Sequence, residues 1–329
     1  MYILLTGATG FLGFRTLEQL VLLEDVQQIV AVGRTIKPTH HVDHPKVTYQ
    51  LGDLNNPAFV EKVVEGCTHI IHAAALSSPW GRYEDFYLAN VVTQQNLLKA
   101  AKKNHIERYV YISSPSIYFE YKHKQGIKES DALPAKFINA YAETKRLGEI
   151  ELEKAGVPYV SLRPRALIGR GDTVIMPRLI RAFDEGRLKI IGNGENVVDL
   201  TSVANVVDAI ILSLKADQKA INNIYNISNG APVKLWDAIA DVLQKLGRKP
   251  PRKKVSANVV RFVAQIMETK SMLTNKAEPV LTKYGVGTLA KTFTMDISKA
   301  KRLLGYEPKT TTQQAIDEFV SWYISHEKD

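Results

Sequence analysis

A single cysteine, Cys67, stands among the 329 residues, which excludes an internal disulfide and a multi-cysteine metal cluster. At the start of an apolar run it reads as a small buried residue. Long hydrophobic runs are missing as well. Nothing approaches the ~20 apolar residues of a membrane-crossing helix, and no signal-peptide pattern precedes the first apolar segment. The expectation is a cytoplasmic protein. Acid is in the minority, with 34 Asp and Glu against 43 Lys and Arg, a formal net charge of +9. Part of the excess lies in Lys245 to Lys254, six basic residues without an acid. That stretch has no interleaved aromatics and no nucleic-acid motif, so a nucleic-acid partner is not expected. It reads as a solvated surface turn, with contact to an anionic partner or a membrane surface as the alternative. His40, His41 and His44 fall in a short polar loop, and no metal site is read there. The 45% hydrophobic content supports a sizeable core.

What is present begins at the first residues. Tyr2 to Leu5 form an apolar run, and a helical pattern starts at Phe11. Between them lie Gly7, Gly10 and Gly13, in Thr6-Gly-Ala-Thr-Gly-Phe-Leu-Gly13. Strand, bare turn and helix in that order form a phosphate cradle. Gly7 permits the turn, Gly10 lets backbone approach a pyrophosphate, and Gly13 lets helix pack on strand. Thr9, Phe11 and Leu12 complete the loop that would face a dinucleotide, with free N–H groups and the helix dipole directed at the phosphates. The Gly-Lys-Ser/Thr ending of a nucleotide-triphosphate loop is missing, which argues against a kinase or ATPase.

Strand and helix then alternate through Pro164, predicting an α/β fold: a doubly wound, mostly parallel sheet of the Rossmann type. The expected division is a dinucleotide-binding core over residues 1–165 and a mainly substrate-binding lobe over 166–329, with about 195–230 returning to the core. Strand two ends in Val32-Gly33-Arg34, where a site preferring NAD carries an acid for the ribose hydroxyls. Arg34 can instead pair with a 2′-phosphate, so NADP(H) is the favoured cofactor, with NAD as the alternative. Asp53 and Leu54, after strand three, are placed for adenine. Ala73, Ala74 and Ala75 end strand four with small side chains that let a dinucleotide approach.

The candidate chemistry lies in Ser114, Tyr141 and Lys145. Tyr141 and Lys145 are four apart and share one helix face. Reducing a carbonyl requires a proton donor to oxygen, and a free phenol with a pKa near 10 is poorly poised for that. An ammonium one turn away favours the phenolate and can also hold the nicotinamide ribose. A serine at a strand end can hold the carbonyl oxygen.

With these residues in view, the chain resembles an extended short-chain dehydrogenase/reductase over essentially its whole length. The motifs are the glycine loop, Asp53, His72-Ala-Ala-Ala75, Tyr111 to Tyr118, Tyr141-x-x-x-Lys145, Leu162 to Asp172 and Asn226 to Gly230. The resemblance implies Tyr141 as acid or base, Ser114 rather than Ser113 as the catalytic serine, and Asn90 as a helix asparagine supporting the site. It also implies Arg163 and Pro164 at the strand end facing nicotinamide, and a homodimer. Within the epimerase/dehydratase superfamily the chain looks most like the 3β-hydroxysteroid dehydrogenase-like branch, which includes reductases of 2-alkyl-3-oxo acids. The expected reaction interconverts a secondary alcohol and a ketone on a largely apolar small molecule, 3-oxo acyl or sterol-like. Pro115, Ser116, Arg178, Phe262 and Ile266 are the expected substrate contacts, the last two on an apolar helix that would line or lid an acyl pocket. A nucleotide-sugar epimerase or dehydratase is the competing enzyme reading. A non-catalytic sensor of NADP(H) is the third, and intact Ser114, Tyr141 and Lys145 speak against it.

Overall fold

The computed structural model describes residues 1–274 and 278–326. Seven parallel strands make the central sheet: β1 (Tyr2–Thr6), β2 (Gln28–Gly33), β3 (Val47–Leu51), β4 (His69–His72), β5 (Arg108–Ile112), β6 (Tyr159–Pro164) and β7 (Asn223–Ile227). Their order across the sheet is β7-β6-β5-β4-β1-β2-β3. The chain thus runs outward from β1 to β3, returns to the middle at β4, and then builds the other side. That reversal opens a crevice between the carboxyl ends of β1 and β4, the place where such sheets bind ligands.

Both faces of the sheet are covered, which explains why its strands read as near-continuous apolar runs. Ile3, Leu5, Ala31, Ile71, Val110 and Val160 point to one face and Leu4, Val32, Ile70, Tyr109 and Tyr111 to the other, all buried. The helices are α1 (Phe11–Leu20), α2 (Pro57–Val64), α3 (Tyr83–Tyr87, a π turn Leu88–Val92, and Thr93–Lys103), α4 (Ala140–Lys154), α5 (Ile175–Asp184), α6 (Val203–Leu214), α7 (Leu235–Lys245), α8 (Ala257–Leu273), α9 (Lys283–Ala290), α10 (Ser298–Leu304) and α11 (Thr312–His326). Leu17 and Leu20 of α1 and Val206 and Ile210 of α6 cover the first face. Val60 and Val63 of α2, Leu97 of α3 and Leu152 of α4 cover the second. The Asn139 side chain caps α4, accepting from Ala142 N at 2.9 Å.

A smaller four-stranded sheet, ordered Val233–Lys234, Val197–Val198, Phe293–Met295, Lys124–Ile127, stands apart from the large one. Nearby, Met176, Ile180, Trp236, Ile239, Val242, Ile316 and Phe319 form a second core. No described helix is long and apolar enough to cross a membrane. Cys67 is buried, and burial pushes its thiol up to about 11, which leaves it inert at neutral pH.

Candidate active site

The glycine loop is built to bring backbone close to a ligand. Gly7 has φ +72, and a Cβ on it would lie 2.8 Å from Ala73 C and 2.7 Å from Ala74 N. A Cβ on Gly13 would fall 2.0 Å from Gly7 O. The turn, the first turn of α1 and the end of β4 therefore lie as close as three glycines and a run of alanines allow. Gly10 caps α1 without a side-chain bond, and no acid stands in the first helical turn. Among the described residues the N–H groups of Phe11, Leu12 and Gly13 find no acceptor in the chain. Three free donors on a helix N-terminus, with room for backbone approach, fit a pyrophosphate. Thr6 Oγ1 ties this corner together, meeting His72 Nδ1 at 2.7 Å and accepting from Ala74 N at 3.3 Å.

Tyr141 lies in the first turn of α4, half-buried, with its phenol facing the side chains of Ser77 and Ser114. Burial raises its pKa, and the two serine bonds oppose that rise. Its ring sits 6.5 Å from that of buried Phe86. Ser114 ends β5 and caps the short turn Pro115–Tyr118, its Oγ accepting from Ser116 N at 3.2 Å. That bond occupies the oxygen and leaves the hydroxyl proton free to point towards Tyr141. Lys145 is one turn further along α4, 2% exposed, with Nζ donating to Ile112 O at 2.7 Å and lying 4.8 Å from the Tyr111 ring centre. Burial pushes its ammonium down to about 7, the Glu149 carboxylate pulling the other way.

Between about pH 7 and 10.5 the unfolded chain keeps a proton on this amine that the folded chain has released, so its contribution to stability rises with pH over that window. The unfolding free energy of the wild type, minus that of Lys145→Met, is expected to climb between about pH 7 and 9, by at most about 1.4 kcal/mol per unit. Denaturant melts at several pH values check this, and a pH-independent difference contradicts it.

Asn90 sits in the π turn of α3, 1% exposed. Its Oδ1 accepts from Leu76 N at 2.8 Å, and its Nδ2 donates to Leu76 O at 3.3 Å and Thr144 Oγ1 at 3.0 Å. It thereby pins the loop carrying Ser77 to the helix carrying Tyr141. A π turn interrupts a helix and is commonly found at functional sites.

The model of the NAD dependent epimerase/dehydratase family matches the chain over residues 3–228. The chain belongs to that family. A 2-alkyl-3-oxoalkanoate reductase of Stenotrophomonas maltophilia is 30% identical to this epimerase/dehydratase-family chain over 325 residues, covering 96% of it and 97% of the relative. The 3beta-hydroxysteroid-dehydrogenase/decarboxylase isoform 1 of Arabidopsis thaliana is 33% identical over 287 residues, 82% of this chain and 65% of the relative. Among solved structures, UDP-glucuronic acid 4-epimerase from Bacillus cereus in complex with NAD superposes with a TM-score of 0.76 at 22% identity, covering 99% of both chains. That likeness shows the shared fold. The family member described here is an enzyme of the extended short-chain dehydrogenase/reductase type, whose members use nicotinamide cofactors.

Several expected contacts are placed differently. The Arg163 guanidinium does not turn to the crevice. It donates to both Glu149 oxygens at 2.7 Å and to the Tyr118 hydroxyl, because a carboxylate buried on α4 demands a counter-charge. Pro164 is buried beside it at the end of β6. Leu54 is sunk in the core at 7% exposure rather than open to an adenine. Asp53 Oδ1 accepts from Asn55 N at 2.9 Å and Nδ2 at 3.0 Å. Arg178 is held at the surface by Glu278, at 3.0 and 3.2 Å. Phe262 and Ile266 are 67% and 53% exposed, so α8 turns them to solvent instead of into a pocket. Sequence reasoning missed Ser77, Phe86 and Glu149. Glu149 alone carried a signal, continuing the spacing of Tyr141 and Lys145 by one more turn.

Proposed function

We propose that the chain is an NADP(H)-dependent reductase interconverting a ketone and a secondary alcohol on a largely apolar substrate, 3-oxo acyl or sterol-like. The observation that carries this reading is the half-buried Tyr141 phenol, which faces Ser77 and Ser114 and has Lys145 one turn below. Ser114 and Ser77 hold the substrate oxygen, and Tyr141 transfers its proton to it as carbonyl becomes alcohol. The cofactor, when bound, supplies the hydride that reaches the carbonyl carbon. The protonated Lys145 amine has two N–H donors left after its bond to Ile112 O, for the ribose hydroxyls and the phenolate. Phe11, Leu12 and Gly13 N–H hold the pyrophosphate, beside Thr9 and the small residues Ala73, Ala74 and Ala75.

The aromatic setting supports an apolar substrate. Phe86 stands beside Tyr141, and Tyr284 of α9 meets Phe119 edge-on at 5.3 Å. The names of the reductase and sterol dehydrogenase relatives point the same way. The solved epimerases favour the second reading, a nucleotide-sugar epimerase. Against it, Arg178 and Arg187, two arginines that could meet a nucleotide diphosphate, are already paired with Glu278 and Glu185. Turnover of a homologous series of 3-oxo acids and esters against a UDP-sugar panel tests the reading. Efficiency should climb several-fold per methylene, each being worth about 0.8 kcal/mol, until the pocket is full. A flat series alongside brisk turnover of a UDP-sugar overturns it.

NADP(H) preference rests on Arg34, which follows β2 with no acid beside it. NADPH is expected to bind more tightly than NADH by about 1–3 kcal/mol, the worth of a charge-assisted pair. Arg34→Ala should erase most of that difference. Fluorescence titration of both cofactors measures it, and equal affinities in the wild type refute the preference.

A further inference from the structure

Helix α8 is amphipathic the wrong way round for a helix on a protein surface. The residues it buries are Ala264, Glu268 and Ser271. The residues it turns outward are Val259 at 61% exposure, Phe262 at 67%, Val263 at 41%, Ile266 at 53% and Leu273 at 83%. At 3.6 residues per turn these five fall on one stripe, opposite the buried side. Glu268 is drawn inward by α9, accepting from Lys283 N at 2.7 Å and pairing with Lys283 Nζ at 3.3 Å. The outward stripe therefore carries no acid, and its one charge is the exposed Lys270, between Ile266 and Leu273.

The segment leading into the stripe is basic. From Lys245 to Thr274 the chain has eight lysines and arginines and one acid, the buried Glu268. Some of those cations are engaged. Lys245 pairs with Asp241 and Asp317, and Arg248 with Asp184. Lys249, Arg252 and Lys253 are exposed and form no ion pair among the described residues. An apolar stripe of large side chains, interrupted only by Lys270 whose long stem can carry its charge to the headgroups, next to unpaired cations is the composition of a helix lying in a membrane interface.

We propose that α8, together with the basic segment before it, docks this protein on an anionic lipid surface. The apolar stripe enters the headgroup boundary, while Lys249, Arg252, Lys253 and Lys270 meet the lipid charge. Charge selects this occupant over a second copy of the chain, since pairing two such faces would bring two sets of unpaired cations together. The proposal stands whatever the substrate. It does place the α8–α9 hairpin, whose Tyr284 packs on Phe119, at the surface from which an apolar molecule would arrive.

Flotation of the full chain with vesicles tests it. Vesicles of phosphatidylcholine with about one third phosphatidylglycerol should bind the protein at least about tenfold more strongly than pure phosphatidylcholine, and less so as salt rises from about 0.1 to 0.5 M. Phe262→Ser with Ile266→Ser should lower partitioning about tenfold or more, since both side chains lose burial in lipid. Arg252→Glu with Lys253→Glu should abolish the preference for anionic vesicles. All four side chains are exposed, so melting temperature and circular dichroism should stay at wild-type values. Failure of the wild type to float with anionic vesicles overturns the proposal, as does undiminished flotation of the Phe262/Ile266 variant. A dimer that the same variant dissociates, seen by light scattering without vesicle binding, assigns the face to a second copy and likewise overturns it.

Discussion

Tyr141→Phe leaves the fold and the cofactor affinity in place and lowers turnover by about 10²–10⁴. The substitution removes a single oxygen. The ring keeps its place near Phe86, and Asn139 still caps the helix. The lost group is the proton donor, and neither neighbouring hydroxyl can replace it. Ser114 Oγ is fixed by the amide of Ser116, and a serine hydroxyl is a far weaker acid than a phenol. The loss should appear in kcat and kcat/KM together, because the proton moves only as the transition state forms. Steady-state kinetics beside a cofactor titration measures both. Turnover near the wild-type rate would remove Tyr141 from the mechanism. A parallel loss of cofactor affinity would give it a binding role instead.

The second large effect concerns stability. Arg163→Met is expected to destabilise the protein by up to about 3–5 kcal/mol, because it removes the two-bond partner of the buried Glu149 carboxylate and leaves it only the half-buried Arg146, at 3.2 Å. Glu149 is fully buried and Arg163 is 3% exposed. Their two bonds at 2.7 Å join the face of α4 that carries Tyr141 and Lys145 to the end of β6. Glu149 also favours the charged form of Lys145, so the pair sets the field in which the amine titrates. Replacing both partners, Glu149→Met with Arg163→Met, should cost less than Arg163→Met alone, since no buried charge is then left unpaired. Urea unfolding of the single and double variants measures the difference. A single variant as stable as the wild type would mean that Arg146 alone satisfies the carboxylate or that it takes up a proton.

The legible parts of this molecule are local in sequence. The glycine loop, the helix over Ala140–Lys154 and the alternation of β1 to β6 each lie within one short window, where periodicity and turn chemistry act directly. The smaller sheet was not legible. Val197–Val198 and Val233–Lys234 are two residues long, too short for alternation to register. Helix α9 hides behind Gly285 and Gly287, which lower helix propensity. The Glu149–Arg163 pair joins a helix to a strand, and nothing in either segment announces the other. Ser77 reaches Tyr141 only because Asn90 ties its loop to α4. The apolar pattern of α8 was read correctly as a helix, but periodicity says which residues share a face and not which way that face turns. Only the packing of Ala264, Glu268 and Ser271 against the protein decides that.

The most direct test of the ketoreductase reading follows the hydrogen. The protein is incubated with a long-chain 3-oxo acyl ketone and NADPH deuterated at the transferable nicotinamide position, and the product alcohol is examined by mass spectrometry. The account predicts deuterium on the carbinol carbon in proportion to the NADPH oxidised, with Tyr141→Phe slowing its appearance. An unlabelled ketone recovered intact, while a UDP-sugar is epimerised without net oxidation of NADPH, would contradict it.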